Sequence, residues 1–338
     1  MHLRTAVALS LWPAATRPSS VAIWRSRSAS TPAHLDPPGV SPADVDAALE
    51  RAARHGILPV PWDDVRYPAA LREIVDPPPL LWVRGNPDAI GGVSVAIVGS
   101  RRASAYGLQV AERLARDLAD RGIVVVSGLA RGADGAAHRG AVRAGGATTA
   151  VLGSGCDVVY PAEHRALADE IVGRGAILSE LPPGTPPRRP HFPRRNRLIS
   201  GLSLAVVIVE AAERSGTLIT ARCGLDQGRE VMAVPGNVLS GASRGCHALI
   251  KDGAKLVETV DDILDELRID APASRRPERR QAVDPRLEKL EPGKSYDLDE
   301  LAVVMRASAQ ELLPRLTTWE LAGAIIRTAG GRFVRSGA

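Results

Sequence analysis

From residue 93 onward the chain alternates short, uniformly apolar runs with amphipathic stretches. Val93–Val98, Ile123–Val126, Thr148–Leu152, Ala176–Leu178, Leu204–Val209 and Glu230–Val234 read as strands. Between them Tyr106–Arg121, Ala133–Arg143, Glu163–Val172 and Leu218–Gln227 read as helices; in the first, Val110, Leu114 and Leu118 recur at helical spacing. Strands that are apolar on both faces need cover on both, which predicts a parallel sheet between two helical layers. The expected fold class is therefore α/β, with a Rossmann-like, doubly wound, mostly parallel sheet over residues 91–268.

The flanks read differently. Residues 36–90 are Pro-rich and irregular, a reduced lead-in with one helix, Ser41–His55, capped by Ser41 ahead of Pro42. Residues 269–294 mix Pro, Arg, Glu and Ser and read as a linker. Helical patterns then return at Leu298–Val304 and Ala309–Leu316. Trp319–Thr328, a Gly330–Gly331 turn and a short strand, Arg332–Val334, follow. Helices followed by a small hairpin predict a winged-helix-like domain over residues 295–338. Residues 1–35 carry four arginines and no acid, and Pro13 interrupts their one apolar stretch. They read as a disordered extension or a misassigned start rather than a targeting signal.

Composition bounds the chemistry. With 338 residues, 45% hydrophobic and 24% charged, the chain has the make-up of a globular protein. The net charge is +5, and 39 of the 43 basic residues are Arg. Much of that is compositional bias, yet a positive excess leaves a polyanion as a plausible partner. The three cysteines form no CxxC pair, which argues against a disulfide framework or a zinc knuckle and fits a reducing, cytoplasmic setting. No apolar run is long enough to span a membrane.

In a doubly wound sheet, ligands sit beyond the carboxyl ends of the strands. Those ends are rich in Gly and Ser here: Gly99-Ser100-Arg101, Ser127-Gly128 with Arg131-Gly132 just beyond, Gly153-Ser154-Gly155, Ser215-Gly216-Thr217 and Pro235-Gly236. Small residues let the backbone approach a ligand, and helix N-termini offer N–H groups to an anion, so a phosphate-bearing ligand is expected. The first turn is GSRRAS rather than GxGxxG, and no GxxxxGK[ST] loop exists, which argues against a dinucleotide and against P-loop ATP hydrolysis. The segment Arg188–Arg197, read as a loop, holds five arginines in ten residues around Phe192, with no acid between Glu180 and Glu210. Arginines around an aromatic suit a single strand, the cations meeting phosphates and the ring a base; equally, Phe192 could anchor the loop in the core. Catalytic groups are sparse. His138 and His164 stand alone, Asp134 reads as a turn-orderer, and Glu180 and Glu210 read as partners of the arginines. No metal-ligand spacing appears, and no cofactor is expected.

VAIVGSRRASAYG, VVVSGLARGADGAAH, AVLGSGCDVVYP, LSELPPG, FPRRNRLISGLS, VVIVEAAERSGTLITARCGLDQGREVMAVPG and SRGCHALIKDGA occur in this order. Together they resemble the DprA/Smf family (DNA-processing protein A), over about residues 62–265. The resemblance implies a Rossmann-like core that binds single-stranded DNA and forms homodimers. It also implies protection of incoming single strands during natural transformation, loading of the RecA recombinase, and no catalytic activity. Carried over by motif, Arg101, Arg189, the base-stacking Phe192, the Arg195–Asn196 pair and the Ser215–Thr217 turn are binding residues. The full candidate set adds Gly99, Ser100, Ser127, Gly128, Arg131, Gly132 and Arg197. The helical N-terminal domain common in that family is missing or reduced to Ser41–His55.

Two rival readings are testable. A phosphoribohydrolase of the lysine-decarboxylase-like (LOG) type uses a PGGxGTxxE turn with a catalytic Glu, but here SGTLIT places Thr220 at that position. A duplex-DNA regulator would read a groove with a helix near Ala309–Leu316, which carries Arg315 as its one basic residue.

Overall fold

A computed structural model describes residues 2–12, 37–270, 284–321, 324–328 and 330–335. Nine strands form one sheet: β1 (Ile57–Pro61), β2 (Leu80–Gly85), β3 (Ser94–Val98), β4 (Val124–Ser127), β5 (Thr148–Val151), β6 (Ala176–Ser179), β7 (Ala205–Ile208), β8 (Glu230–Ala233) and β9 (Lys255–Leu256). Their spatial order is β1-β2-β6-β5-β4-β3-β7-β8-β9. From β6 to β9 every pairing is parallel, while β2 joins β6, and β1 joins β2, antiparallel. The expected doubly wound sheet is present, and its order reverses between β3 and β7.

Alternation along β3 shows how the core is built. Val95 and Ile97 pack with α4 (Ala105–Asp120) and α5 (Ala133–Arg143), whereas Ala96 and Val98 pack with Leu198 and Ile199 of α7 (His191–Leu202). Both faces are dry, as the apolar runs require. On the second face α7 is joined by α8 (Thr217–Asp226), and α6 (Arg165–Arg174) contributes Leu167 and Ile171 to a third cluster. Side-chain caps fix several helix starts. Ser41 and Asp44 form a reciprocal capping box on α2 (Pro42–Arg54), and Ser104 Oγ accepts from the Gly107 N–H on α4.

Four expectations change. The segment read as an Arg-rich loop is helical from His191, because Pro193 falls in the first turn, where a missing N–H costs nothing. The lead-in, which also holds the short helix α3 (Ala69–Arg72), contributes two strands to the main sheet rather than lying outside it. Residues 2–12, expected to be disordered, include helix α1 (Leu3–Leu11), whose Ala6, Val7 and Ala8 are buried in a cluster with Val45 and Trp82; residues 13–36 lie outside the described residues. Two unforeseen helices, α9 (Arg244–Lys251) and α10 (Val260–Leu267), flank β9.

At the C-terminal end, β10 (Ser295–Tyr296), β11 (Ile325–Arg327) and β12 (Phe333–Arg335) form a separate antiparallel sheet, ordered β10-β12-β11. It shares a core with α11 (Leu298–Met305) and α12 (Ala309–Leu321) that includes Leu301, Leu312, Trp319 and Phe333. Leu287 and Leu290, placed in the expected linker, are buried in that core. Within Trp319–Thr328, the structure divides the segment between the end of α12 and β11.

Candidate nucleic-acid interface

The carboxyl ends of β3, β4 and β5 and the start of α7 enclose a cleft of about 270 Å³. Arg101, Arg102, Gly128, Ala130, Arg131, Tyr160, Pro161 and Phe192 line it. Arg101 is exposed, and the centre of its guanidinium lies 5.0 Å from the centroid of the Phe192 ring. Tyr160 stands beside Phe192, with centroids 5.7 Å apart and ring planes tilted by 49°. A flat cation over an aromatic face is a cation–π contact, and it offers phosphate and base a common seat.

The turn after β3 is anchored from beneath. Ser100 N–H donates to the Glu210 carbonyl at 2.7 Å, while the Glu210 carboxylate accepts from Ser104 N–H at 3.0 Å and Ser104 Oγ at 2.5 Å. Glu210 is buried and structural, but it is engaged by the Ser100–Ser104 turn rather than by the arginines expected as its partners. Thr217 Oγ1 donates to the Gly99 carbonyl at 2.9 Å, and the Thr217 N–H donates to Ser215 Oγ at 3.2 Å. The Ser215-Gly216-Thr217 turn thus abuts β3 across the switch point. It adjoins the cleft without lining it.

The turn after β4 carries the tightest backbone. Gly132 has φ +74° and ψ −129°, a conformation open to glycine alone, and a Cβ there would overlap the Ser100 carbonyl oxygen. Leu129 is held at φ +55°, with its side chain buried and its carbonyl 2.9 Å from His164 Nδ1. His164, which the sequence left without a role, orders this turn. The N–H groups of Arg101, Arg131 and Gly132 find no acceptor among the described residues. Arg131 itself is held by Glu163, with Arg131 Nη2 3.2 Å from Oε2.

Below the cleft floor lies Arg195, 4% exposed. Its Nη1 donates to the Gly128 carbonyl at 2.7 Å and to the Val151 carbonyl, and its Nε donates to Asn196 Oδ1 at 3.3 Å. Burial pushes its pKa down to about 10, with buried Asp134 working in the opposite direction, so the group keeps its charge at neutral pH. Burial raises the Asp134 pKa while Arg195 counters it. Gly128 is required by this contact: a Cβ would sit 2.6 Å from both Arg195 terminal nitrogens. Ser127 is likewise internal, its Oγ donating to the Ile97 carbonyl at 2.6 Å.

The five clustered arginines therefore separate. Arg197 Nη2 lies 2.6 Å from Glu180 Oε2 and 3.6 Å from Asp76, and Arg194 lies 3.1 Å from the same Glu180 oxygen. Arg194 is thus paired. Glu180, which precedes the acid-free stretch, pairs with both Arg194 and Arg197, and Asp76 adds a second carboxylate beside Arg197. Arg188 and Arg189 are exposed and form no ion pair among the described residues. Of the sequence candidates, Arg101, Gly128, Arg131 and Phe192 meet in the cleft, with Gly99, Ser100 and Gly132 shaping its rim. Ser127 and Arg195 lie beneath it, Asn196 and Arg197 turn inward, and Arg189 stands outside the lining. Arg102, Ala130, Tyr160 and Pro161 were not singled out; the aromatic-proline pair closing AVLGSGCDVVYP was the available signal. His138, read as packing, is buried with Nδ1 2.8 Å from Thr148 Oγ1, and burial lowers its pKa to about 3.

Fold and cleft define the class: a doubly wound α/β protein with a cleft of arginine, aromatic rings and close-approach turns at the carboxyl ends of its strands. Comparisons narrow it. The family described as DNA recombination-mediator protein A matches residues 59–268. Protein Smf of Escherichia coli K12 is 41% identical over 284 residues, which is 80% of this chain and 76% of that one. DNA processing protein DprA of Streptococcus pneumoniae R6 is 47% identical over 200 residues, 59% and 71% of the two chains. The X-ray structure of DprA from S. pneumoniae superposes with a TM-score of 0.63 at 42% identity, covering 67% of this chain and 78% of that one. A structure described as giving insights into the unique single-stranded DNA binding mode of DNA processing protein A from Helicobacter pylori superposes with a TM-score of 0.57. Its identity is 30%, and it covers 63% of this chain and 97% of that one. This chain belongs to the DNA recombination-mediator protein A (DprA/Smf) family.

Proposed function

We propose that this protein binds single-stranded DNA at the cleft between the β3 and β4 turns and α7, and that it does so without catalysis. The observation that carries the reading is the Arg101 guanidinium 5.0 Å from the Phe192 ring, both of them lining one cleft. Arginine neutralises phosphate and an aromatic face receives a base, which together describe a single-strand site. The DNA-processing names of the relatives and the single-strand binding described for the H. pylori protein support it. In this reading residues 91–268 are the binding core and residues 295–338 a winged-helix-like accessory module. The protein works in the cytoplasm as a homodimer, protecting incoming strands and helping to load RecA in transformation and recombination. No helix among the described residues is long and apolar enough to cross a membrane.

Oligo-dT binding is expected to weaken steeply with salt. Arg101→Ala and Arg189→Ala should each lower affinity and flatten the log–log salt dependence by about 0.7. Fluorescence anisotropy across a salt series measures both; wild-type affinity and slope in the two variants would place the site elsewhere. Thr220, where the phosphoribohydrolase reading needs a catalytic Glu, is 2% exposed. Incubation with nucleoside monophosphates should therefore release no free base, and steady turnover detected by chromatography would overturn the non-enzymatic reading.

A further inference from the structure

Phe192 is the aromatic to which the resemblance assigns base stacking, yet its ring is partly covered. Arg101 lies over it, and Phe192 Cδ1 would be 3.2 Å from a Cβ placed on Gly153. Tyr160 is the aromatic that reaches solvent, at 42% exposure, and it lines the same cleft. Its hydroxyl makes no hydrogen bond among the described residues, so the ring is held by packing on Phe192 and by its neighbour Pro161, which is buried.

We propose that Tyr160 is a second base-stacking ring, which with the Arg101–Phe192 pair seats two adjacent nucleotides that have given up stacking on each other. The inference rests on the single-strand reading above and adds to it which residue meets the base and what shape the strand takes. Stacked bases lie parallel at about 3.4 Å per step along a strand. The two rings here are 5.7 Å apart and tilted by 49°. Two bases that remain parallel and in contact cannot each lie flat on one of these rings. A strand following both must part its bases and turn between them. A paired strand in a duplex cannot do so without melting, so the ring geometry itself disfavours duplex DNA. The cleft volume of about 270 Å³ is near the lower end of small-ligand sites, about 300 Å³, and leaves no room for a longer stacked run.

Selectivity follows from the same geometry. Preferences of single-strand sites arise from stacking strength and backbone flexibility rather than from base-edge hydrogen bonds. Thymine runs stack weakly on themselves and adenine runs strongly, so unstacking at the Tyr160–Phe192 step favours oligo-dT over oligo-dA. Tyr160 is thereby a specificity-determining residue.

The test compares wild type, Tyr160→Phe, Tyr160→Ala and Arg101→Ala on oligo-dT and oligo-dA. Tyr160→Phe should stay within about twofold of wild type. Tyr160→Ala should weaken oligo-dT binding by about 5- to 150-fold, the worth of one base–aromatic stack, without changing the salt dependence. It should also narrow the preference for dT over dA. Tyr160→Ala binding within about twofold of wild type, beside an impaired Arg101→Ala, would overturn the stacking role and leave the single-strand reading standing. Failure of the wild-type protein to bind oligo-dT would overturn both. A second measurement avoids substitution altogether. Photocrosslinking of wild-type protein to an oligonucleotide carrying 5-iodouracil should yield a peptide modified at Tyr160, and crosslinks confined to other peptides would reject the proposal.

Discussion

Arg195→Met is expected to lower the unfolding free energy by about 3–5 kcal/mol, the usual cost of removing one member of a buried charged network. The guanidinium is enclosed and donates to carbonyls at the ends of two neighbouring strands, Gly128 after β4 and Val151 in β5. Methionine fills much of the volume but donates nothing, so both carbonyls are left buried and unpaired, at about 1–3 kcal/mol each. Asp134, already destabilised by burial, loses the cation that offsets it. Lysine should rescue little, because a single ammonium on a flexible stem cannot reproduce the planar fork. Urea titration followed by circular dichroism measures the change, and a loss under about 1 kcal/mol would show that the buried network is dispensable.

Gly132→Ala should damage binding more than it damages the fold. The residue holds φ +74° and ψ −129°, and an alanine Cβ would overlap the Ser100 oxygen and lie 2.9 Å from the Arg101 carbonyl carbon. The conformational strain costs about 1–3 kcal/mol. Relief requires the β3 turn to move away, carrying Arg101 off Phe192 and breaking the Ala133 N–H to Ser100 carbonyl bond of 3.2 Å. Oligo-dT affinity should fall by more than about tenfold, or ~1.4 kcal/mol, in protein that still melts cooperatively. Unchanged affinity in a folded variant would mean that the two turns need not be held together for binding.

The parallel strands were legible because burial on both faces writes them as apolar runs: every residue of β3 and β7 is buried. β1 was not, since Pro59 and Pro61 interrupt it and it pairs on one side only, at the sheet edge where proline is tolerated. The start of α7 was hidden by Pro190, Pro193 and dense arginine, although its later residues Leu198, Ile199 and Leu202 are core. That helix also decided the site. Positions 194 and 197 are three apart and share a face, so both meet Glu180, while position 195, about 100° further round, points beneath the β4 turn. The sequence shows that five arginines are near one another, but the phase of a helix against its sheet determines which are free. The convergence of Arg101, Gly128 and Arg131 followed from the rule that ligand sites gather at strand carboxyl ends, and Phe192 was marked by the arginines around it. Tyr160 did not, because it comes nine residues after the end of β5, in irregular chain.

The pairing of Glu180 with Arg194 and Arg197 changes how the protein's electrostatics should be counted. Each phosphate neutralised by a free cation releases condensed counterions, and the number released sets how ionic strength competes with DNA. Two of the five clustered arginines are already paired with the carboxylates of Glu180 and Asp76, and a third is enclosed away from solvent. A counterion count taken over the whole segment would therefore describe a site far more sensitive to ionic strength than the one this fold presents. In the single-strand reading the salt dependence is therefore set by the few cations that remain free, because much of the arginine holds the architecture together and the two rings meet the bases without charge.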